Sequence, residues 1–347
     1  MTGPATHPGD DISRGSSESR QRARAGLLRI LGPFFDRTWR DPAAIPLTLP
    51  QGPALFVANH SGGCLAMLEP MLLAHRLQNP VHFPRLLLHE VMWRSPLSAR
   101  LRDLGALRAS PENANRLLSQ GESVLVYPGG DVEPFRSFRA RDHIALGDRH
   151  GYLKLALRHG VPIVPIVTSG VQSGFISLSD GRALAARLPL ARRLRVGVLP
   201  ITMSFPFGLS VGIPAPYIPL ATEVSIRVLP ALRFSGGGED PSRNDAFVAA
   251  CHAEVTRVMQ RALDGLANTR REARRRALHR RLDQLVDGIE QLTNAPHSKA
   301  IQTIAPAHAL FIEQSHTERT PTPHEAPAPH RPSLSRRSGM HLRRRAE

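Results

Sequence analysis

Apolar positions along this chain recur at two periods, and the period changes from segment to segment. From about Ser17 to Arg40, Leu27, Leu28, Leu31, Phe34, Phe35 and Trp39 follow one another at three- and four-residue steps. Arg20, Arg22, Arg24, Arg29 and Arg37 fill much of the remainder, which predicts an amphipathic helix that Pro33 ends or kinks. Between residues 45 and about 234, short apolar runs bounded by Gly and Pro alternate with helical stretches. The runs Ala54–Ala58, Ser123–Tyr127, Ile163–Thr168, Arg195–Met203 and Glu223–Leu229 read as strands; Met67–Leu77, Asn113–Ser119 and Tyr152–His159 read as helices. Such alternation predicts an α/β fold with a mostly parallel central sheet flanked by helices. A further helix is expected over Arg243–Ala267, burying Phe247, Cys251, Val255, Val258, Met259 and Leu263. Behind the basic run Arg270–Arg276, Leu278, Leu282, Leu285, Ile289 and Leu292 follow at heptad-like spacing, too short a run for a coiled coil.

The expected organisation is a disordered leader at 1–16, an amphipathic helix at 17–44, one domain at 45–270, a basic helix at 271–293 and a disordered Arg/Pro/His-rich tail at 294–347. A stripe bearing Phe and Trp beside an Arg-rich face suits a helix lying in a membrane interface, and we assign 17–44 that role. The same stripe also fits a helix packed on the domain core. Leu194–Leu220, with Phe205-Pro-Phe-Gly208, is too broken by proline to span a bilayer; it fits an acyl channel, a membrane-dipping loop or a buried strand pair.

Charge sharpens the choice of partners. The 347 residues carry a formal net charge of +16, and apart from Lys154 and Lys299 every basic side chain other than histidine is Arg. Anionic partners follow: lipid headgroups, acyl-CoA or nucleic acid. Nucleic acid is not expected, because the arginines lie mostly outside the α/β region, aromatics make up only 5% of residues, and no nucleic-acid motif is present. Cys64 and Cys251 are too few for a disulfide framework and form no metal-ligand cluster, so a reducing compartment is expected. Met1–Gly15 lacks the apolar core of a signal peptide, and no run of 18 apolar residues occurs. A cytoplasmic protein, peripheral on the inner face of the membrane, is the expectation.

The candidate chemistry starts in Leu55-Phe-Val-Ala-Asn-His-Ser-Gly-Gly63, where a buried strand runs into Asn59, His60, Ser61, Gly62 and Gly63. This holds an imidazole at a strand end while the glycines permit close approach of a substrate, and histidine is suited to take a proton from an alcohol. A second strand runs into Tyr127-Pro-Gly-Gly-Asp-Val-Glu133, supplying Gly129, Gly130, Asp131 and Glu133; a third contains Val161-Pro-Ile-Val-Pro-Ile166.

In this order and spacing the three segments resemble the glycerolipid acyltransferase superfamily, over about residues 45–268. The resemblance implies a single acyltransferase domain that moves a fatty acyl group from an acyl thioester, acyl-CoA or acyl-carrier protein, to a glycerolipid hydroxyl. It implies His60 as base, no metal and no cofactor beyond that co-substrate. In the family a His-x4-Asp motif supplies the carboxylate that orients the base, but here the fifth position after His60 is Leu65, and the nearest downstream acid is Glu69. Glu69 is the favoured partner, with Asp131 and Glu133 as alternatives from a facing loop. The phosphatidate-forming signature Phe-Pro-Glu-Gly-Thr-Arg is absent, and Tyr-Pro-Gly-Gly-x-x-Glu looks more like the mono- and diacylglycerol acyltransferase branch. Arg136 or Arg139, and Arg108 of Gly105-Ala-Leu-Arg108, are candidates for the acceptor headgroup; backbone donors at Gly62–Gly63 or Gly129–Gly130 are candidates for the oxyanion. Rival readings are a lysophosphatidate acceptor, an inactive relative, and a basic membrane-binding protein without enzymatic activity.

Overall fold

The computed structural model describes residues 7, 9–12, 17–40, 49, 51–77, 83–94, 96, 98–130, 132–188, 197–204, 208–212, 220–238 and 240–293. The chain divides into two compact units, Met1–Arg275 and Arg276–Glu347. In chain order the first unit contains α1 (Ser17–Thr38), β1 (Trp39–Arg40), β2 (Leu55–Ala58), α2 (Glu69–Arg76), β3 (Arg85–Leu88), α3 (Ser98–Asp103), β4 (Leu107–Arg108), α4 (Pro111–Ser119), β5 (Val124–Val126) and α5 (Gly151–His159). These are followed by β6 (Ile163–Ser169), β7 (Ile176–Ser179), α6 (Arg182–Arg187), β8 (Ile201–Ser204), β9 (Gly208–Val211), β10 (Thr222–Glu223), β11 (Ser225–Val228) and α7, which begins at Asp245 and runs to Thr293.

The central sheet has the order β11-β6-β2-β5-β3-β4, parallel throughout except for β11 at one edge. Both inner strands of the chemistry, β2 and β6, are buried along their whole length, which is why their sequences read as unbroken apolar runs. Side chains alternate between two layers. Leu55 and Val57 face α4, α5 and α7 in one core, whereas Phe56 and Ala58 face α2 in the other. Pro165 sits within β6 opposite the end of β11. It accepts from the Leu229 amide and returns no donor, just where that ladder runs out.

Several expectations are corrected. The helix expected to end or kink at Pro33 runs on to Thr38. Pro33 and Arg29, whose carbonyl the ring displaces, are both exposed, so water satisfies the lost bond. The apolar stripe of α1 faces the domain and not a membrane: Phe35 and Trp39 are fully buried in a cluster with Leu72, Val171 and Phe175, and Leu27, Leu28, Leu31 and Phe34 pack around it. The leader is not wholly without structure. Arg108 donates two hydrogen bonds to Asp10, at 2.9 and 2.8 Å, His7 meets Glu90 at 3.0 Å, and the Arg108 amide donates to the Gly9 carbonyl. Residues 9–12 thereby cover the open edge of β4.

Of the expected strand Arg195–Met203, residues 195 and 196 lie outside the described residues and 197–200 are not strand; β8 belongs to a separate antiparallel sheet of order β7-β8-β9. Glu223–Leu229 splits into β10, paired with β1, and β11. β3 and β4 were not anticipated, because Arg85 opens one and the other has only two residues. The helices expected over Arg243–Ala267 and 271–293 are one continuous helix, since the Ala- and Arg-rich join contains no breaker. Within the second unit, Leu278, Leu282, Leu285 and Ile289 of that helix are exposed. Among the described residues no helix is long and apolar enough to cross a membrane. The tail at 294–347 lies outside the described residues.

Candidate active site

The site forms where β2 ends. After Ala58 the chain turns through Gly62 and Gly63, both with left-handed φ (79° and 57°), into a 3-10 turn over Gly63–Leu68 and then α2. A side chain at Gly62 would strike Val171 and one at Gly63 would strike Phe175, so both glycines answer a close approach as well as a backbone requirement. The turn doubles the chain back, so that Glu69, in the first turn of α2, returns to the residues it left eight and nine positions earlier. His60 Nδ1 lies 2.9 Å from Glu69 Oε2, and Ser61 Oγ donates to Glu69 Oε1 at 2.8 Å. Glu69 is 1% exposed and its carboxylate sits at a helix N-terminus, where the backbone favours negative charge. His60 remains partly open, with 21% of its side chain exposed. Its ring packs on Tyr127, 4.4 Å between centroids, which holds the imidazole from the side.

Of the three carboxylates expected near the imidazole, Glu69 reaches the ring. Glu133 instead accepts from the His60 backbone amide at 2.9 Å and from the Ala145 amide at 3.2 Å. Burial pushes the Glu133 carboxyl up to about 7, opposed by the Arg136 guanidinium and the His60 amide. Asp131 lies outside the described residues. Burial, aided by Glu69 and Glu133, pushes the Tyr127 phenol well above its ordinary range, so it stays protonated.

Other residues expected in the site serve its architecture. Asn59 is fully buried and exchanges two hydrogen bonds with the Thr168 backbone, at 2.9 and 2.8 Å, lacing β2 to β6 beyond the last paired residues. Ser61 holds Glu69. Gly129 lies where a side chain would collide with Glu133 and the Ala145 carbonyl, and the Gly130 amide donates to the Tyr127 carbonyl. The Gly62 amide donates to Gln172 Oε1 at 2.6 Å.

Two of the three arginines expected at an acceptor headgroup are engaged elsewhere. Arg136 is buried and gives its donors to the carbonyls of His60, Glu133, Ala140 and Arg141. Burial lowers its pKa, and Glu133 and Glu69 offset this. Arg108 lies on β4, three strands from β2, locked to Asp10. Arg139 is exposed. Gln172 was not anticipated. It is 2% exposed, and it ties the Gly62 amide to the Arg136 carbonyl. A polar residue three positions after a fully buried strand, in Thr168-Ser-Gly-Val-Gln172, was the available signal.

A parallel sheet that presents a histidine–carboxylate pair at the end of a central strand is a scaffold for general-base chemistry on a hydroxyl. Residues 43–169 match the family model described as Acyltransferase. An uncharacterised protein of Mycobacterium tuberculosis (strain ATCC 25618 / H37Rv) is 30% identical over 195 residues, covering 54% of this chain and 52% of that protein. A Gallus gallus protein named DGAT1/2-independent enzyme synthesizing storage lipids is 27% identical over 190 residues, 53% of this chain and 55% of its own length. Diacylglycerol O-acyltransferase 2 of Homo sapiens is 35% identical over 69 residues, 19% and 18% of the two chains. Among solved structures, the 1-acyl-sn-glycerophosphate (LPA) acyltransferase PlsC from Thermotoga maritima aligns with a TM-score of 0.40 at 15% identity, over 72% of this chain and 83% of that one. The chain spans about half the length of the curated relatives it matches first. The likeness to acyltransferases lies in the part of the chain that holds β2, the His60–Glu69 pair and β6.

Proposed function

We propose that this protein is an enzyme that transfers a fatty acyl group from an acyl thioester to the hydroxyl of a glycerolipid. The observation that carries the reading is the His60–Glu69 pair, 2.9 Å apart at the end of β2, inside the segment that matches the acyltransferase family. With Nδ1 donating to Glu69, the lone pair of His60 Nε2 is left to accept a proton. The acceptor hydroxyl gives its proton to Nε2 as its oxygen attacks the thioester carbonyl. The tetrahedral intermediate then expels the thiolate, which takes the proton back from the imidazolium, and Glu69 stabilises that cation while it exists. The oxyanion falls to backbone donors. The Gly62 and Gly130 amides are already engaged, which leaves Gly63 and Gly129 as the candidates among the four glycines.

A neutral acceptor, mono- or diacylglycerol, is favoured over lysophosphatidate because two of the three candidate arginines, Arg136 and Arg108, are committed to other partners. The donor is acyl-CoA or acyl-carrier protein, with no other cofactor, and the protein works peripherally on the cytoplasmic face of a membrane. The test is an acceptor screen of the purified protein with labelled acyl-CoA against monoacylglycerol, diacylglycerol and lysophosphatidate. A labelled neutral glyceride is expected, with His60→Ala reducing it about 10²–10⁴-fold. No product from any acceptor, or equal product from His60→Ala, refutes the reading.

A further inference from the structure

The small sheet β7-β8-β9 is amphipathic the wrong way round for a soluble domain. Its inward face is polar. Ser177 and Thr202 are completely buried; Ser177 Oγ donates to the Phe135 carbonyl at 2.9 Å, and Thr202 Oγ1 meets Ser210 Oγ at 2.9 Å and donates to the Gly212 carbonyl. Its outward face is apolar. Met203 stands opposite Ile176 and Leu209, and Ile201 opposite Val211, so these side chains share one surface. On it Leu209 is 69% exposed, Val211 61% and Met203 46%, with Leu178, at the irregularity in β7, 51% exposed. A half-buried antiparallel sheet ordinarily turns its apolar face to the core and its polar face to water. Four strongly exposed large apolar side chains on one three-stranded sheet therefore mark an interaction surface.

We propose that this face is where the protein docks on an anionic lipid bilayer. Charge identifies the occupant. The connection from β7 to β8, residues 180–200, holds Arg182, Arg187, Arg192, Arg193 and Arg195 against the single acid Asp180, and residues 201–222 carry no charged side chain. Arg182 and Arg187 form the ends of α6 and are exposed, Arg182 paired with Asp180 at 2.8 Å; Arg192, Arg193 and Arg195 lie outside the described residues. Apolar strands joined by an arginine-rich segment match acyl chains beneath negatively charged headgroups. Size argues in the same direction. Among the described residues, some six side chains fall well short of the roughly 20–30 residues a side of a stable protein interface, but they are enough to wedge into a bilayer. The surface is also tied to the candidate active site. β7 follows Phe175, which packs against Gly63, and the sheet's polar face is bonded to the carbonyl of Phe135, two residues after Glu133. Docking through β7-β8-β9 thus anchors the wall of the His60 site at the surface where a lipid acceptor resides. The choice of a bilayer rests on the lipid substrate proposed above, but its test does not depend on turnover.

The test is sedimentation of the full chain with vesicles of phosphatidylcholine alone and of phosphatidylcholine with phosphatidylglycerol. Intact protein is expected to bind the anionic vesicles, more weakly as salt is raised. The triple variant Met203→Gln, Leu209→Gln, Val211→Gln should bind at least about tenfold less well with an unchanged melting curve. Should the triple variant not fold, Leu209→Thr alone, at the most exposed position, should still lower binding a few-fold, on the order expected for one partly inserted side chain. Arg182→Gln with Arg187→Gln should shrink the difference between the two vesicle types. Unchanged binding by the folded triple variant, or no binding by the intact protein, overturns the proposal. So does a triple variant that turns from dimer to monomer while its vesicle binding persists, which would give the face to a second copy. Acyl transfer measured on the same preparations with a short-chain, water-dispersed acceptor separates the two readings. Its absence counts against the reaction alone, and its presence beside unaltered vesicle binding by the variant counts against the surface alone.

Discussion

Replacing Glu69 by Gln isolates the charge behind His60 while keeping the shape of the side chain. In the native site one carboxylate oxygen faces His60 Nδ1 at 2.9 Å and the other accepts from Ser61 Oγ at 2.8 Å. A glutamine can keep its oxygen on the imidazole and turn its amide nitrogen to the serine hydroxyl, so both contacts survive in form. What disappears is the attraction between a carboxylate and the imidazolium formed during proton transfer. At 2.9 Å and an effective dielectric constant near 20, that attraction is about 6 kcal/mol, the upper bound on the loss. A general base deprived of its orienting carboxylate is expected to lose about 10²–10⁴-fold in turnover, or roughly 3–5 kcal/mol, which falls within that bound. Because Glu69 is 1% exposed and does not reach the acceptor, kcat should fall with little change in KM. Steady-state transfer from labelled acyl-CoA, beside a thermal melt of the same protein, measures both. Turnover within about threefold of the parent, in a variant that folds, would refute the dyad.

Three further outcomes follow from the structure. Arg136→Lys should lower stability by more than about 3 kcal/mol in chemical denaturation, because a single ammonium cannot serve four separate carbonyls; a phosphate-binding arginine would instead raise KM for a phosphorylated acceptor in a stable protein. Glu133, raised from 4.5 to about 7 in the folded protein, binds more protons there than in the unfolded chain between those two values. Stability should therefore fall as pH rises from about 4.5 to about 7 and then level off, and Glu133→Gln should flatten that slope in denaturation midpoints taken across the range. Phe35→Ala, which empties a fully buried site stacked on Trp39, should cost about 3–5 kcal/mol and lower the melting temperature by roughly 10 °C; an interfacial α1 would lose vesicle binding and keep its melting point.

What could be read from the sequence was what local physics encodes. Leu55–Ala58 and Ile163–Ser169 are buried on both faces, so every residue in them is under the same demand, and the apolar run announces the strand by itself. His60 before a glycine turn was legible for a similar reason, since Gly62 and Gly63 adopt a backbone that other residues avoid. Periodicity, however, states which face of an element is apolar and not what that face meets. The stripe of α1 fitted a membrane or a core equally well, and only packing against Leu72, Val171 and Phe175 decided for the core. A strand ending near Met203 was legible too, but β9 was not, and only the buried hydroxyls of Ser177 and Thr202 show that the apolar side of that sheet points outward. Partner identity lay furthest from reach. Only nearness in the sequence favoured Glu69 over Asp131 and Glu133. The fold assigned Glu69 to the imidazole and Glu133 to the backbone amide of His60, because the turn at Gly62–Gly63 brings the start of α2 back under the end of β2. Arg136 looked like a headgroup ligand while its surroundings were unknown, but burial beside four carbonyls made it a brace. A side chain's chemistry is set by its residue type, whereas its role depends on which distant groups the tertiary structure brings within about 3 Å of it.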